Sequence, residues 1–319
     1  METARQRVQR WQDAWPKIAE AAPRDSEGRQ PKYSFFYPQE EYRSELLEPL
    51  AEMTRAGIGD VEVHIHHDKE TADGFREKIR TFCRQLREDH GLLNDVDGRA
   101  AFGFIHGNWA LDNSLPGGHW CGLTGEIKLL KELGCYADFT MPSIPSPTQG
   151  KIVNKIYWCT GSTDKPRSFD RGVEASVGGG VRGDLLMITG PLGLRYRDRL
   201  MPRIETGEVA VYDLPTPYRI KRWLDLAPRI GNDIFIKLYA HGAREDNADA
   251  LLGTSAKAGG LALMYKWLHE AAEERQLEVH WASAFDMYSA VKRLTCGQDA
   301  TLQANDEIQS GIAAGTSER

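Results

Sequence analysis

VEVHIHHD, residues 61–68, is the stretch on which the reading of this chain turns. Successive residues of a strand point to opposite faces, so Glu62, His64, His66 and Asp68 share one face and Val61, Val63, Ile65 and His67 the other. The apolar face asks for a core beneath it. The other face carries imidazole and carboxylate, a donor set suited to zinc, iron, cobalt, nickel or manganese. A surface strand with solvated histidines is the alternative, but alternation with Val and Ile asks for burial, and an unpartnered imidazole is costly to bury.

Working outward, residues 33–37 (YSFFY) read as an aromatic strand that stops at Pro38 and delivers Gln39, Glu40 and Glu41 past its end. Leu46, Leu47, Leu50 and Met53 recur at helical spacing up to Gly57, and Phe75, Ile79, Phe82 and Leu86 do so after the histidine strand. Residues 101–105 form another apolar strand, which runs into His106, Gly107, Asn108 and Trp109. Ile127, Leu130 and Leu133 mark a helix closed by Gly134, with a strand at 135–139. Further strands are expected at 185–188, 234–238 and 277–281, separated by helices through Ile220, Trp223 and Leu224 and through Leu261, Met264, Trp267 and Leu268, with a last helix at 285–294. This alternation predicts parallel strands joined by crossover helices, and seven or eight βα units predict an α/β fold, an irregular (β/α) barrel of about seven strands. Residues 1–32 read as a helix and polar lead-in, 33–296 as the barrel, and 297–319 as a polar tail. The Pro-, Ser- and Gly-rich interval 141–184 breaks the rhythm and reads as an excursion over the barrel mouth.

Composition narrows the partners. With 40 Lys and Arg against 46 Asp and Glu, a net charge of -6 and no basic cluster, nucleic acid is not expected. No apolar run approaches the roughly 20 residues of a membrane span, and the opening METARQRVQRWQDAWPKIAEAA lacks the apolar centre of a secretory signal, so the expectation is a cytoplasmic protein. Cys83, Cys121, Cys135, Cys159 and Cys296 are odd in number and contain no CxxC pair, which predicts reduced thiols. Arg195, Arg197, Arg199 and Arg203 could grip an anion, although a solvated charge run is the plainer reading.

Acids and imidazoles collect where strands should end: Glu40 and Glu41, then His64, His66 and Asp68, then His106, Asp138 and His241. In a barrel of βα units those ends converge on one face, so groups distant in sequence become neighbours. That convergence is the argument for an enzyme. His67 should point away from its neighbours and play a structural part.

The ordered series YSFFYPQEEY, VEVHIHHD, FGFIHGNWALDNS, ELGCYADFTMPSIPSPTQ and FIKLYAHGA resembles the polysaccharide deacetylase family, a branch of the glycoside hydrolase/deacetylase superfamily of irregular (β/α) barrels. The resemblance runs from about residue 33 to 294. It implies a divalent ion, zinc first, with nickel, cobalt, iron or manganese as alternatives, held by His66 with His64 or Asp68 and by Glu40, which stands with Glu41 where the family has adjacent aspartates. It implies Glu41 or another free carboxylate as the base and His241 as the acid that protonates the departing amine, a role suited to imidazole near neutrality. His106 stands where the family has an arginine, and Asp138 lies in its paired-hydroxyl segment; both are expected at the catalytic centre. Asn108, Trp109, Tyr157 and Trp158 are expected to contact an acylated sugar or glycan, the aromatic rings by stacking. The implied activity is metal-dependent de-N-acetylation of a sugar precursor or surface polysaccharide intermediate. The alternatives are cleavage of a glycosidic bond or non-sugar amide, and a carbohydrate-binding scaffold without catalysis.

Overall fold

Eight strands share one sheet in the computed structural model, which describes residues 2–197, 201–253 and 260–297. The histidine stretch forms its second strand. β1 (Phe35–Pro38), β2 (Val61–Ile65), β4 (Arg99–His106), β5 (Cys135–Asp138) and β8 (Leu185–Ile188) lie side by side and parallel, with β3 (Asn94–Val96) antiparallel on β4. The crossovers are α2 (Ser44–Arg55), α3 (Ala72–Arg84) and α4 (Glu126–Glu132). Thr71 caps α3 by accepting from Gly74 N at 3.1 Å, and Gly57 and Gly134 end α2 and α4 at φ of +92° and +94°, where a side chain would be strained.

The expected alternation holds on β2. Val61, Val63 and Ile65 pack with Leu47, Phe75, Ile79 and Phe82 of the crossover helices. Glu62, on the opposite face, is fully buried; its carboxylate accepts from Tyr136 Oη and Gly103 N, both at 2.5 Å, so it serves the sheet rather than a metal. That second face forms a smaller core with Tyr136, Phe139, Trp158 and Tyr288, the last from α8 (Ala284–Cys296). Phe285 N donates to Asp60, just before β2, so α8 sits by the N-terminal ends of the parallel strands.

Two expectations change. The interval 141–184 supplies β6 (Ile156–Cys159) and β7 (Gly172–Glu174), which extend the sheet antiparallel to β8. Its residues 156–159 are buried on both faces, as a strand inside a sheet must be, so the segment does not cover a mouth. The sheet also does not close into a barrel; β1 and β7 are its edges. Residues 277–281 make no ladder because side chains of the lead-in take their donors: Val279 N bonds Ser26 Oγ and Trp281 N bonds Asp25 Oδ2, each at 3.0 Å. Of 234–238, only Ile234 is in a strand, within the short hairpin of β11 (Arg229–Ile230) and β12 (Asp233–Ile234). Beyond it, Phe235 N bonds Pro228 O and Tyr239 N bonds Gly207 O.

The lead-in is no separate domain. Trp11, Trp15 and Ile18 of α1 (Glu2–Ala21) belong to the main core, and Trp11 Nε1 donates to Gly242 O at 3.2 Å. A second hairpin, β9 (Gly193–Arg197) with β10 (Met201–Glu205), packs on α5 (Pro217–Leu226). Arg195 is buried against Glu205 rather than solvated. The expected tail and Arg199 lie outside the described residues, apart from Gly297. Among the described residues no helix is long and apolar enough to cross a membrane.

Candidate functional site

The C-terminal ends of β1, β2 and β4 carry two clusters on opposite faces of the sheet. His64 lies on the face of Glu62, and His66 follows just past the strand end; their rings meet edge-on with centroids 4.6 Å apart. Glu40, on the turn after β1, accepts from His66 Nδ1 and, at 3.3 Å, from His66 N. Burial works against this carboxylate's charge, but the hydrogen bond from His66 holds it below the usual carboxylate range. Gly107 makes the close packing possible: a Cβ there would stand 2.4 Å from His66 Cδ2. Burial, reinforced by the neighbouring His66 charge, pushes His64 down to about 4, and its Nδ1 is buried without a partner.

His241 joins this group from the far segment. It lines the same cavity as His64, His66 and Trp109, and its charge acts on His64. Its ring stands 6.5 Å from those of Trp109 and Tyr239, and its Nε2 lies 3.9 Å from Glu208 Oε1. Thus Glu40, His64, His66, Trp109 and His241, read as strand-end residues from sequence, do meet. Glu208 was missed; the loop 206–210 has no strand or motif to flag it.

Other expected members have different surroundings. Asp68 accepts from Trp120 N at 2.6 Å. Asn108 Nδ2 ties the carbonyls of His67 and Trp120 and so braces a loop. Glu41 does not line the cavity; its carbonyl accepts from Tyr37 Oη at 2.9 Å. Tyr157 and Trp158 cannot stack on a sugar, since both rings are buried in β6 and Tyr157 Oη is committed to Phe169 O. His106 is not at the rim. It alternates with Phe102 and Phe104 on the helix-facing side of β4 and is wholly buried.

That side holds the second cluster. One ligand atom from each of His67, His106, Cys121 and Glu126 lies within 4.8 Å of the others, the only such group among the described residues; it could hold a metal ion. The rim donors are spread more widely. Sequence reading treated His67 as structural and Cys121 as a plain thiol. Nothing in the spacing of Cys121 and Glu126 ties them to two strand ends.

Asp138 ends β5 with its carboxylate accepting from Thr140 N and Oγ1 at 3.0 and 2.8 Å, and it belongs to neither cluster. Burial pushes it up to about 7. Lys237 Nζ, also buried, donates to Met141 O at 2.8 Å; burial pushes it down to about 7 against the opposing pull of Asp138. An unfolded lysine keeps its proton until a pH of about 10, so between there and neutrality folding requires a proton to leave. Stability is therefore full at alkaline pH and is lost as pH falls toward 7. Lys237→Met removes that loss. Urea titrations should find it more stable than wild type by about 1–3 kcal/mol at neutral pH, with the gap shrinking toward pH ~10. A pH-independent difference would show an unshifted amine.

No family model, no curated protein and no solved structure matches this chain.

Proposed function

We propose that the protein is a metal-dependent hydrolase that removes an N-acyl group from a sugar, either a cytoplasmic precursor or a surface polysaccharide intermediate. We take its scaffold to be an opened form of the irregular (β/α) barrel, in which most of 234–238 and all of 277–281, expected as the last two strands, stay outside the sheet. One observation carries the reading: His64 Nδ1 is buried and unpartnered beside the Glu40–His66 pair, within range of His241, at the ends of parallel strands. Parallel βα arrangements place their chemistry at that end.

The donors fit a divalent ion by type. Glu40 accepts the Nδ1 proton of His66, which fixes the ring's tautomer and leaves Nε2 with a free lone pair, the usual arrangement behind a metal-bound histidine. His64 Nδ1 and His66 Nε2 would then hold the ion, and Glu40 orients rather than ligates. Bound there, a divalent cation supplies Lewis acidity toward an amide carbonyl and lowers the pKa of water. His241, whose Nε2 lies 3.9 Å from Glu208 Oε1, would deliver a proton to the departing amine. Trp109, half-buried on the cavity wall with its ring near His241, offers a face for a sugar.

The test joins elemental analysis to a screen of N-acetylated amino sugars for acetate release. Chelator-sensitive release, with one fewer ion per chain in His66→Ala than in wild type, is the expected result. A protein that neither retains nor gains a divalent ion lost on His64→Ala or His66→Ala, or that releases acetate from none of these sugars, refutes the reading.

A further inference from the structure

We infer that His67, His106, Cys121 and Glu126 form a second, fully enclosed metal centre, independent of the rim and selective for zinc-like ions. Each belongs to a different piece of backbone: the segment after β2, the end of β4, the loop before α4 and the first turn of α4. All four side chains are buried, His106 and Glu126 completely.

The hydrogen bonds around the centre leave the right atoms pointing inward. His67 Nδ1 lies 3.1 Å from Cys121 O, an acceptor only, so Nδ1 carries the proton and Nε2 faces Glu126 Oε1 at 3.0 Å. Two lone pairs cannot face each other at that distance unless a cation lies between or beside them. A proton shared by His67 and Glu126 would meet that one need. It would leave His106 Nε2 stranded: that atom is buried without a hydrogen-bond partner, 3.9 Å from Glu126 Oε1. Cys121 supplies the fourth donor. Its sulfur accepts from Asn113 N at 3.3 Å and Leu123 N at 3.4 Å and lies 3.5 Å from Glu126 Oε2; burial and that carboxylate favour the thiol, so a cation beside the sulfur is what would make it a thiolate.

A metal ion uses all four groups. Two imidazoles, a thiolate and a carboxylate suit zinc or cobalt and not the oxygen-seeking magnesium or calcium. Four protein donors with no solvent access make a structural centre rather than a catalytic one. Bonds of roughly 2.0–2.3 Å require the widest donor separation to contract by about 1 Å. Uptake releases two protons, that of the Cys121 thiol and the one shared by His67 and Glu126. It also moves the His106 ring proton from Nε2 to Nδ1, which gives up the 3.2 Å contact from Asn108 N. The centre would pin the connection 107–125 beneath the rim, because Gly107 follows His106 and abuts His66, and His67 follows His66.

Cobalt substitution tests this without reference to activity. In the His64→Ala/His66→Ala double variant, which lacks the proposed rim donors, Co²⁺ loading should still give one ion per chain and a near-ultraviolet sulfur-to-cobalt charge-transfer band. Adding Cys121→Ser should abolish the band. Should that variant not fold, X-ray absorption at the zinc edge of the double variant decides, with one sulfur among nitrogen and oxygen neighbours expected. Absence of the band in the double variant, its persistence with Cys121→Ser, or a zinc shell without sulfur overturns the proposal. Wild-type protein that shows the band but binds no second ion and releases no acetate would count against the rim reading alone.

Discussion

Replacing His241 with Ala is expected to lower turnover roughly 100- to 10,000-fold, the usual worth of a positioned acid or base, while the ion content stays at the wild-type value. The geometry separates these two effects. His241 shares a cavity wall with His64 and His66 but pairs with Glu208, not with either imidazole. Its ring is also about half exposed, so truncation leaves no large void and the unfolding midpoint should hardly move. Steady-state rates with the best acetylated substrate, beside metal analysis of the same preparation, check both halves. Loss of ion in parallel with rate would make His241 a ligand.

Glu205→Ala is expected to be the most damaging single substitution for stability, by about 3–5 kcal/mol in urea titrations. Glu205 is fully buried, receives Arg219 Nε and Trp223 Nε1, both at 2.9 Å, and pairs with Arg195 at 2.9 Å and Arg219 Nη2 at 2.6 Å. Removing it leaves two guanidinium groups inside the protein with Asp213 as the remaining carboxylate that pairs with both, beside backbone carbonyls that accept from Arg219. The loss should reach the site as well. Glu205 Oε1 accepts from Gly207 N, Gly207 O accepts from Tyr239 N, and Arg219 Nη2 holds Glu208 O, so the network sets both Glu208 and the backbone leading to His241. Glu205→Gln, which keeps an acceptor, should lie between. An Ala variant as stable as wild type would show that the network contributes nothing net.

How much of this could be read in the amino acids depends on how local the signal was. β2 was legible because its alternation is written in five consecutive residues, and the crossover helices because their apolar stripes repeat every three or four. The strand ends carrying Glu40 and His66 followed from those; His241 reaches the cavity from an irregular segment, not from the end of the strand expected at 234–238. The missing closure was not legible. Residues 277–281 have strand-like composition, yet their partners are Asp25 and Ser26 some 250 positions away, and no local pattern encodes that choice. Tyr157 and Trp158 misled for a related reason: an aromatic run between prolines and glycines reads equally as a sugar platform or an inner strand. Cys121 and Glu126 acquire meaning only once a loop folds back beneath two strand ends.

The unclosed sheet leaves the two sides of the cavity differently built. His64 and His66 sit on or just past a strand bonded to neighbours on both edges, whereas His241 is held outside that sheet by scattered bonds: Tyr239 to Gly207 and Val209, Trp11 to the Gly242 carbonyl, and Arg244 and Asn247 to its own carbonyl. One jaw is set by the sheet and the other by tethers from loops and helices. If the proposed function holds, the width of the opening can be retuned through those tethers, leaving His64 and His66 untouched.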